Sequence, residues 1–370
     1  MALFNDSIVF EGAEKLLEIQ LNPSHKISLR QITDWQDLLK EANCTILSTM
    51  HGTTTDAYVL SESSLFVMDH KIILKTCGCT TLLKVLPKFL SIALFLNFTQ
   101  LQLYYSRKCY LAPHLQIEMH TNWDHEVDYL DSFLIGSAYT FGSTNKNQHW
   151  YLYASDWISL NQIPNIVPSQ HVIKSAQLLH LPSARGDQTL EILMTHLDIA
   201  ACRQFYYPRP DSSIDLSASD FKNPQHDLVY KLINHLKPST HQMDGFSFKP
   251  CGFSSNHLLS YDDNEYYCTM HITPEPHCSY ASLETNVHTD VFDSNSTSSD
   301  SYTSESDDIY ANLIRKTLAF FKPKEVILTW FCNKMTSLDV VTDYKVVDIV
   351  ESIVKHHQVT YISLQRQDNC

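Results

Sequence analysis

Between Tyr58 and Val67 the chain reads Tyr58-Val59-Leu60-Ser61-Glu62-Ser63-Ser64-Leu65-Phe66-Val67, two apolar runs around a polar core. Tyr, Val, Leu and Phe suit pleated, half-buried backbone, so the flanks predict two strands. The polar core contains neither Gly nor Pro, the residues that usually make a tight turn. A serine hydroxyl pressed against the carbonyl that precedes it can attack that carbonyl and convert the amide to an ester. A further elimination would leave a new terminus without a serine side chain. Taken alone, the same ten residues read first as an ordinary polar loop between two strands, and the rest of the sequence must decide.

Three other stretches are dense in reactive types. In Lys75-Thr76-Cys77-Gly78-Cys79 a thiol close to a lysine can serve as proton donor or thiolate, or simply pack. Phe248-Lys249-Pro250-Cys251-Gly252-Phe253-Ser254 is a turn carrying an aromatic and a hydroxyl, and also reads as a plain Pro/Gly turn. His271-Ile272-Thr273-Pro274-Glu275-Pro276 sets a histidine at a strand end, then a carboxylate whose backbone two prolines restrain. His271 is one of 19 histidines, and by itself it reads as structural before catalytic.

The elements that must position these residues follow from periodicity. Glu11 to Ile19 and Ser28 to Ala42 carry apolar residues at helical spacing and predict amphipathic helices. Cys44–Ser48, Lys71–Gly78, Leu101–Tyr105, Trp150–Tyr153, Tyr266–Ile272, Tyr280–Glu284 and Glu325–Phe331 predict strands. Thr80 to Phe98, broken near Pro87, Trp123 to Phe133, Asp308 to Phe321 and Val346 to Lys355 predict helices. Strands and helices interleaved with short connections indicate an α+β protein. Lys75-Thr76-Cys77-Gly78 and Lys249-Pro250-Cys251-Gly252 echo one another, a hint of two similar halves. Asp290 to Asp308 is mostly Ser, Thr, Asp and Glu and predicts a disordered acidic insertion.

Totals narrow the class. A chain of 370 residues with 44% hydrophobic content is globular. The formal charge of −14 argues against nucleic-acid binding and suits a cationic ligand. The apolar run from Leu82 to Phe98 is interrupted by Lys84, Pro87 and Lys88, so no membrane span is expected. Ten cysteines behind a start that lacks a signal peptide predict reduced thiols and a cytoplasmic protein. Cys77-Gly78-Cys79 is too tight for a usual zinc site, so no metal is expected.

Taken together and in order, Phe10-Glu11-Gly12-Ala13-Glu14-Lys15-Leu16-Leu17, Tyr58 to Ser64, Leu74 to Gly78, Tyr105-Ser106-Arg107-Lys108, Asp187 to Met194 and His271 to Pro276 closely resemble the eukaryotic S-adenosylmethionine decarboxylase family. The resemblance runs from about Ile8 to Lys322 and fades beyond, with a poor match over Pro208 to Gly245. It implies a pyruvoyl-dependent lyase that makes the aminopropyl donor for spermidine and spermine. It also implies one decarboxylase domain over 1–370, a four-layer α/β/β/α sandwich of two facing antiparallel sheets arising from a duplication. By the same resemblance the Glu62–Ser63 bond is cut by serinolysis, giving a β chain of residues 1–62 and an α chain of 63–370.

The family's residue roles carry over position by position. Ser63 becomes the pyruvoyl group that forms the Schiff base with substrate, Cys77 is the proton donor, and Ser254 and His271 serve processing. Phe10 and Phe248 sandwich the adenine, Glu275 binds the ribose hydroxyls, and Leu60 and Glu62 line the site. Glu18, Lys75, Asp187, Thr189, Glu191 and Glu284 match the putrescine site of members that this diamine stimulates, and the resemblance implies a homodimer of αβ units. Two rival readings are a catalytically inactive paralogue that regulates an active decarboxylase, and a hydrolase built on Cys77 and His271. The first would be expected to have lost Ser63, Cys77 or His271; the second lacks a nucleophile-elbow motif.

Overall fold

Runs of Val, Ile, Leu, Tyr and Thr make most of the chain antiparallel strand in the computed structural model, which describes residues 9–23, 27–146, 148–164, 166, 188–207, 224–293, 305–332 and 343–367. Backbone proximity divides the chain into two compact units, Ala13–Ser183 on the one hand and Met1–Gly12 with Ala184–Cys370 on the other.

The Ala13–Ser183 unit contains β1 (Lys15–Pro23), α1 (Trp35–Leu39), β2 (Ile46–His51), β3 (Thr55–Leu60), β4 (Ser63–Met68), β5 (Lys71–Thr76), α2 (Val85–Phe95), β6 (Phe98–Lys108), α3 (Trp123–Asp131), β7 (Gly136–Phe141), β8 (Trp150–Ser155) and β9 (Ile158–Ser159). Its strands run in the order β2-β3-β4-β5-β1-β6-β8-β7, with β9 paired to β6. One face of the sheet, through Leu17, Ile19, Leu65, Leu74 and Leu103, packs with Trp35, Leu38, Phe89 and Leu90 of the helices into a continuous core. Each such side chain removed from water contributes about 1.5–3 kcal/mol. The opposite face is also buried, but it mixes Val59, Phe66 and Ile73 with Ser64 and Lys75.

The second unit contains β10 (Thr189–Thr195), α4 (Ile199–Arg203), α5 (Pro224–Ile233), β11 (Thr240–Ser247), β12 (Phe253–Tyr261), β13 (Asn264–Thr273), β14 (Tyr280–Thr285), α6 (Asp290–Asp293), α7 (Glu305–Phe321), β15 (Glu325–Cys332), β16 (Tyr344–Val354) and β17 (His357–Arg366). The order is β11-β12-β13-β14-β10-β15-β17-β16. Ile192, Phe253, Met270, Leu283 and Leu328 pack on Ile233, Leu313 and Phe321 of the helices. Position for position this repeats the first sheet, β10 standing where β1 stands and β17 where β8 does. The duplication is therefore written in the topology. The four-residue echo does not mark equivalent places: Lys75 to Gly78 closes β5, whereas Lys249 to Gly252 leads into β12, the counterpart of β3.

Three sequence expectations change. Glu11 to Ile19 is not a helix, because its second half enters β1. That strand is hydrogen-bonded between β5 and β6 and buried on both faces, so its apolar residues do not alternate. Ser28 to Ala42 is α-helical only over Trp35–Leu39, with single 3-10 turns at Leu29–Gln31 and Lys40–Ala42. Val346 to Val354 belongs to β16 and Lys355 to the turn after it; a register shift between Val346 and Asp348 breaks the alternation and mimics helical spacing. Of the acidic stretch, Asp290–Asp293 is a short helix and α7 begins at Glu305; residues 294–304 lie outside the described ones.

Candidate active site

In the first unit Leu60 pairs with Ser63, so Ser61 and Glu62 alone connect β3 to β4. A two-residue hairpin needs positive φ somewhere near its tip, and the usual carrier is Gly or Asn. Here it falls on Ser63, at φ 134°, a region that a residue with a side chain rarely adopts. Ser61 is otherwise engaged: its N–H donates to the Thr45 carbonyl at 2.9 Å, and its Oγ accepts from the Thr45 N–H at 3.1 Å. Ser64 is fully buried and pairs with Lys75. Of the three serines, Ser63 is the one that both follows the Glu62 carbonyl and carries strain.

Cys77 closes on the same carbonyl. Its backbone N–H donates to the Glu62 oxygen at 2.9 Å, and its thiol lies 3.3 Å from that oxygen. Gly78, at φ 63°, lets the chain turn directly after it. Lys15 donates from Nζ to the Gly78 carbonyl at 2.9 Å, and Thr80 Oγ1 lies 2.9 Å from the Cys77 carbonyl. Burial pushes the Cys77 thiol well above its ordinary value; the Glu62 and Glu14 carboxylates add to this and Lys15 opposes it. Burial likewise raises the Glu62 carboxyl, with Lys15 and Cys77 opposing. A thiol held protonated suits a proton donor and does not suit the thiolate nucleophile of a hydrolase.

In the second unit Ser254 on β12 pairs with His271 on β13, and Ser254 Oγ lies 2.9 Å from His271 Nδ1. Thr269 Oγ1 lies 2.9 Å from the other ring nitrogen, Nε2. These residues occupy the sheet face opposite the helices, and all are buried. Phe248 opens a tight turn in which its N–H donates to the Gly252 carbonyl at 2.9 Å. Gly252 has φ 110°, and a Cβ there would meet the Ile272 carbonyl at 3.4 Å. The Phe248 ring packs 5.0 Å from that of Phe246. Glu275 is half-buried just after β13, and the Cys251 thiol hydrogen-bonds to its carboxylate. Burial and that carboxylate push the Cys251 thiol far up. Phe10 is half-buried, with its backbone at the Cys278 thiol, which burial pushes up to about 11 despite that hydrogen bond. Leu60 ends β3 with its side chain fully buried in the first core.

The residues matched to a diamine site divide between the units. In the first, Glu18 and Lys75 share the face opposite the helices, and Glu18 forms a 2.6 Å ion pair with Lys71. In the second, Glu191 and Glu284 stand directly opposite one another on β10 and β14, both buried, with Thr189 two residues along. Tyr267 donates to Glu284 at 2.6 Å and Thr329 to Glu191 at 3.2 Å. Asp187 lies outside the described residues. Paired buried carboxylates repel unless a cation or proton intervenes.

Sequence reasoning missed Lys15, Thr80 and Thr269. Lys15 was within a motif already singled out, but reading Glu11 to Ile19 as a helix gave it no partner across the sheet. Thr269 has the one visible signal of strand parity with His271 two residues on. Among the described residues no group of three or more His, Cys, Asp or Glu side chains is placed to hold a metal ion, and no helix is long and apolar enough to cross a membrane.

Residues 7–368 match the family model described as adenosylmethionine decarboxylase. The chain belongs to the adenosylmethionine decarboxylase family. Membership makes it a decarboxylase of the lyase class, and the match extends well past Lys322, where the motifs alone had faded. The chain is 32% identical to the S-adenosylmethionine decarboxylase proenzyme of Saccharomyces cerevisiae, over 99% of this chain and 95% of that one. It is 37% identical to the Drosophila melanogaster proenzyme of the same name, over 90% and 85%. Among solved structures, the Trypanosoma brucei AdoMetDC-delta26 monomer has the same fold, with a TM-score of 0.51 at 20% identity over 82% of this chain and 99% of that one.

Proposed function

We propose that this chain cuts itself between Glu62 and Ser63 and then decarboxylates S-adenosylmethionine. The observation that carries the reading is the Glu62 carbonyl, held by the Cys77 N–H at 2.9 Å next to a serine at φ 134°. A donor at that distance stabilises the negative charge that grows on the oxygen under attack, and leaving the strained amide lowers the barrier further. Ser63 Oγ bonds to the Glu62 carbonyl carbon, the C–N bond breaks, and the amine nitrogen takes up the proton. Loss of the Ser63 α-proton then breaks the Cβ–Oγ bond and releases Glu62 as the carboxylate that ends the 1–62 β chain. Hydrolysis of the remaining enamine frees ammonia and leaves a pyruvoyl group at the head of the 63–370 α chain. His271 and Ser254 move the protons, a role their 2.9 Å contact supports.

Cys77 and Glu62, beside the cut, fit that group. A pyruvoyl carbonyl supplies an electrophile for the substrate amine and an electron sink beside the carboxylate to be lost. Cys77, kept as a thiol by burial and two carboxylates, delivers a proton to the substrate α-carbon. Phe10 and Phe248 stack on the adenine and favour the adjacent sulfonium, Glu275 accepts from the ribose hydroxyls, and Leu60 and Glu62 wall the site. The product is the aminopropyl donor for spermidine and spermine synthesis, made in the cytoplasm. A homodimer of αβ units is supported by the long edge strand β16, which exposes Ile349 and Ile353.

Intact mass spectrometry of the purified protein tests the cut: two fragments, the larger headed by a pyruvoyl group, are expected, and a single full-length chain would overturn it. Ser63→Ala is expected to give one folded, uncleaved chain. The buried Glu191–Glu284 pair supports putrescine as activator, with Asp187 completing the acidic set. Decarboxylation assayed with and without putrescine should rise in the parent and respond less in Asp187→Asn; no diamine response in the parent would sink that part alone.

A further inference from the structure

Thr269 Oγ1 lies 2.9 Å from His271 Nε2, 3.0 Å from the Ser255 carbonyl and 3.0 Å from the Asn256 side-chain amide, whose nitrogen donates to it once the amide is turned over. A threonine hydroxyl has one proton to give, and a backbone carbonyl can only accept. Were that proton given to Nε2, Oγ1 and the Ser255 oxygen would face each other at 3.0 Å with no proton between them. Given instead to the Ser255 carbonyl, it leaves an Oγ1 lone pair aimed at Nε2, which must then carry the ring proton. His271 Nδ1 is consequently bare, 2.9 Å from Ser254 Oγ, and accepts that hydroxyl's proton.

We infer that Thr269 is a positioning residue that holds His271 as its Nε2–H tautomer and so aims the basic nitrogen at Ser254. The ladder supports this with rigid backbone: Thr269 pairs with Asn256 across β13 and β12, and both residues are fully buried. A neutral imidazole has one donor and one acceptor nitrogen, and its orientation is set by the hydrogen bond that the non-reacting nitrogen makes. The inference rests on the proposed role of His271 in moving protons during self-cleavage.

The test follows cleavage of the freshly synthesised full chain on denaturing gels. Thr269→Val keeps the shape and removes the hydroxyl, and should slow cleavage about 10–100-fold, part of the roughly 10²–10⁴-fold that a positioned base supplies. Thr269→Ser restores the hydroxyl and should cleave within about twofold of the parent, which loss of packing alone would not predict. Normal cleavage by Thr269→Val, or equal slowing in both variants, overturns the inference. His271→Ala runs in parallel, and if it cleaves at the parent rate the proposed role of His271 itself is wrong. Should Thr269→Val fail to fold, nitrogen-15 shifts of His271 in the full-length Ser63→Ala chain, assigned by difference against His271→Gln, read the tautomer directly. A proton on Nε2 supports the inference, and a neutral ring protonated on Nδ1 overturns it.

Discussion

Glu126 is fully buried yet carries a charge, because four neighbours satisfy it. Arg107 Nε and Tyr105 Oη each donate at 2.7 Å, Tyr110 Oη at 3.0 Å, and His120 Nδ1 at 2.7 Å. Burial alone would raise its carboxyl, but His120 and Arg107 hold it below the ordinary carboxylate value. The Leu83 N–H meets His120 Nε2, which leaves the histidine proton on Nδ1 facing the carboxylate. Removing one member strands the others, so Glu126→Ala should cost about 3–5 kcal/mol in urea unfolding. A loss below about 1 kcal/mol would mean that the network is dispensable. The same logic of a single well-placed proton sets Cys77 apart from the other eight described cysteines, all free thiols, since its sulfur alone lies beside the Glu62 carbonyl.

At the scale of elements, the turn from Phe248 to Gly252 positions both Phe248 and the start of β12. Its closing hydrogen bond depends on a backbone conformation that only glycine adopts without strain. Gly252→Ala should therefore destabilise the protein by about 1–3 kcal/mol, read as a lower urea midpoint with an unchanged slope. The hairpin at Ser61 and Glu62 shows the opposite arrangement, since there the strained position is occupied by Ser63, directly after the Glu62 carbonyl. Helices were legible where one face meets solvent: Trp123 to Phe133 was read within two residues of α3, and Asp308 to Phe321 ends where α7 ends. Elements were misread where both faces are buried or a bulge intervenes, as in β1 and β16.

At the scale of the whole molecule, buried and half-buried histidines among the described residues govern the acid response. Burial, first among the causes, lowers His70, His120, His149, His226 and His257, and brings His241 to about 4. A folded pKa below the unfolded 6.5 means that the unfolded chain binds more protons between the two, so stability rises with pH across that window. Glu126 acts in the same direction below its ordinary 4.5, its stabilising charge being lost as pH falls through the depressed value. The raised Glu62 opposes them in part. The thermal midpoint should thus fall steadily from pH 7 to pH 4.5, and a flat profile over that range would contradict the burial of these rings.

By itself the sequence determined the chemistry on offer. Glu62-Ser63, Cys77 and His271 stand in short motifs whose order and composition identify the family, because side-chain type and local spacing need no fold to be read. It also determined that the protein is built of interleaved strands and helices. Tertiary structure decided which serine bears the strain, what closes on the Glu62 carbonyl and which nitrogen of His271 faces Ser254. Each of those depends on a partner brought across a strand pairing, from Thr45 to Ser61, Cys77 to Glu62 and Thr269 to Ser255. Hydrogen bonds of this kind are made between residues that register alone places side by side, and register is a property of the folded sheet.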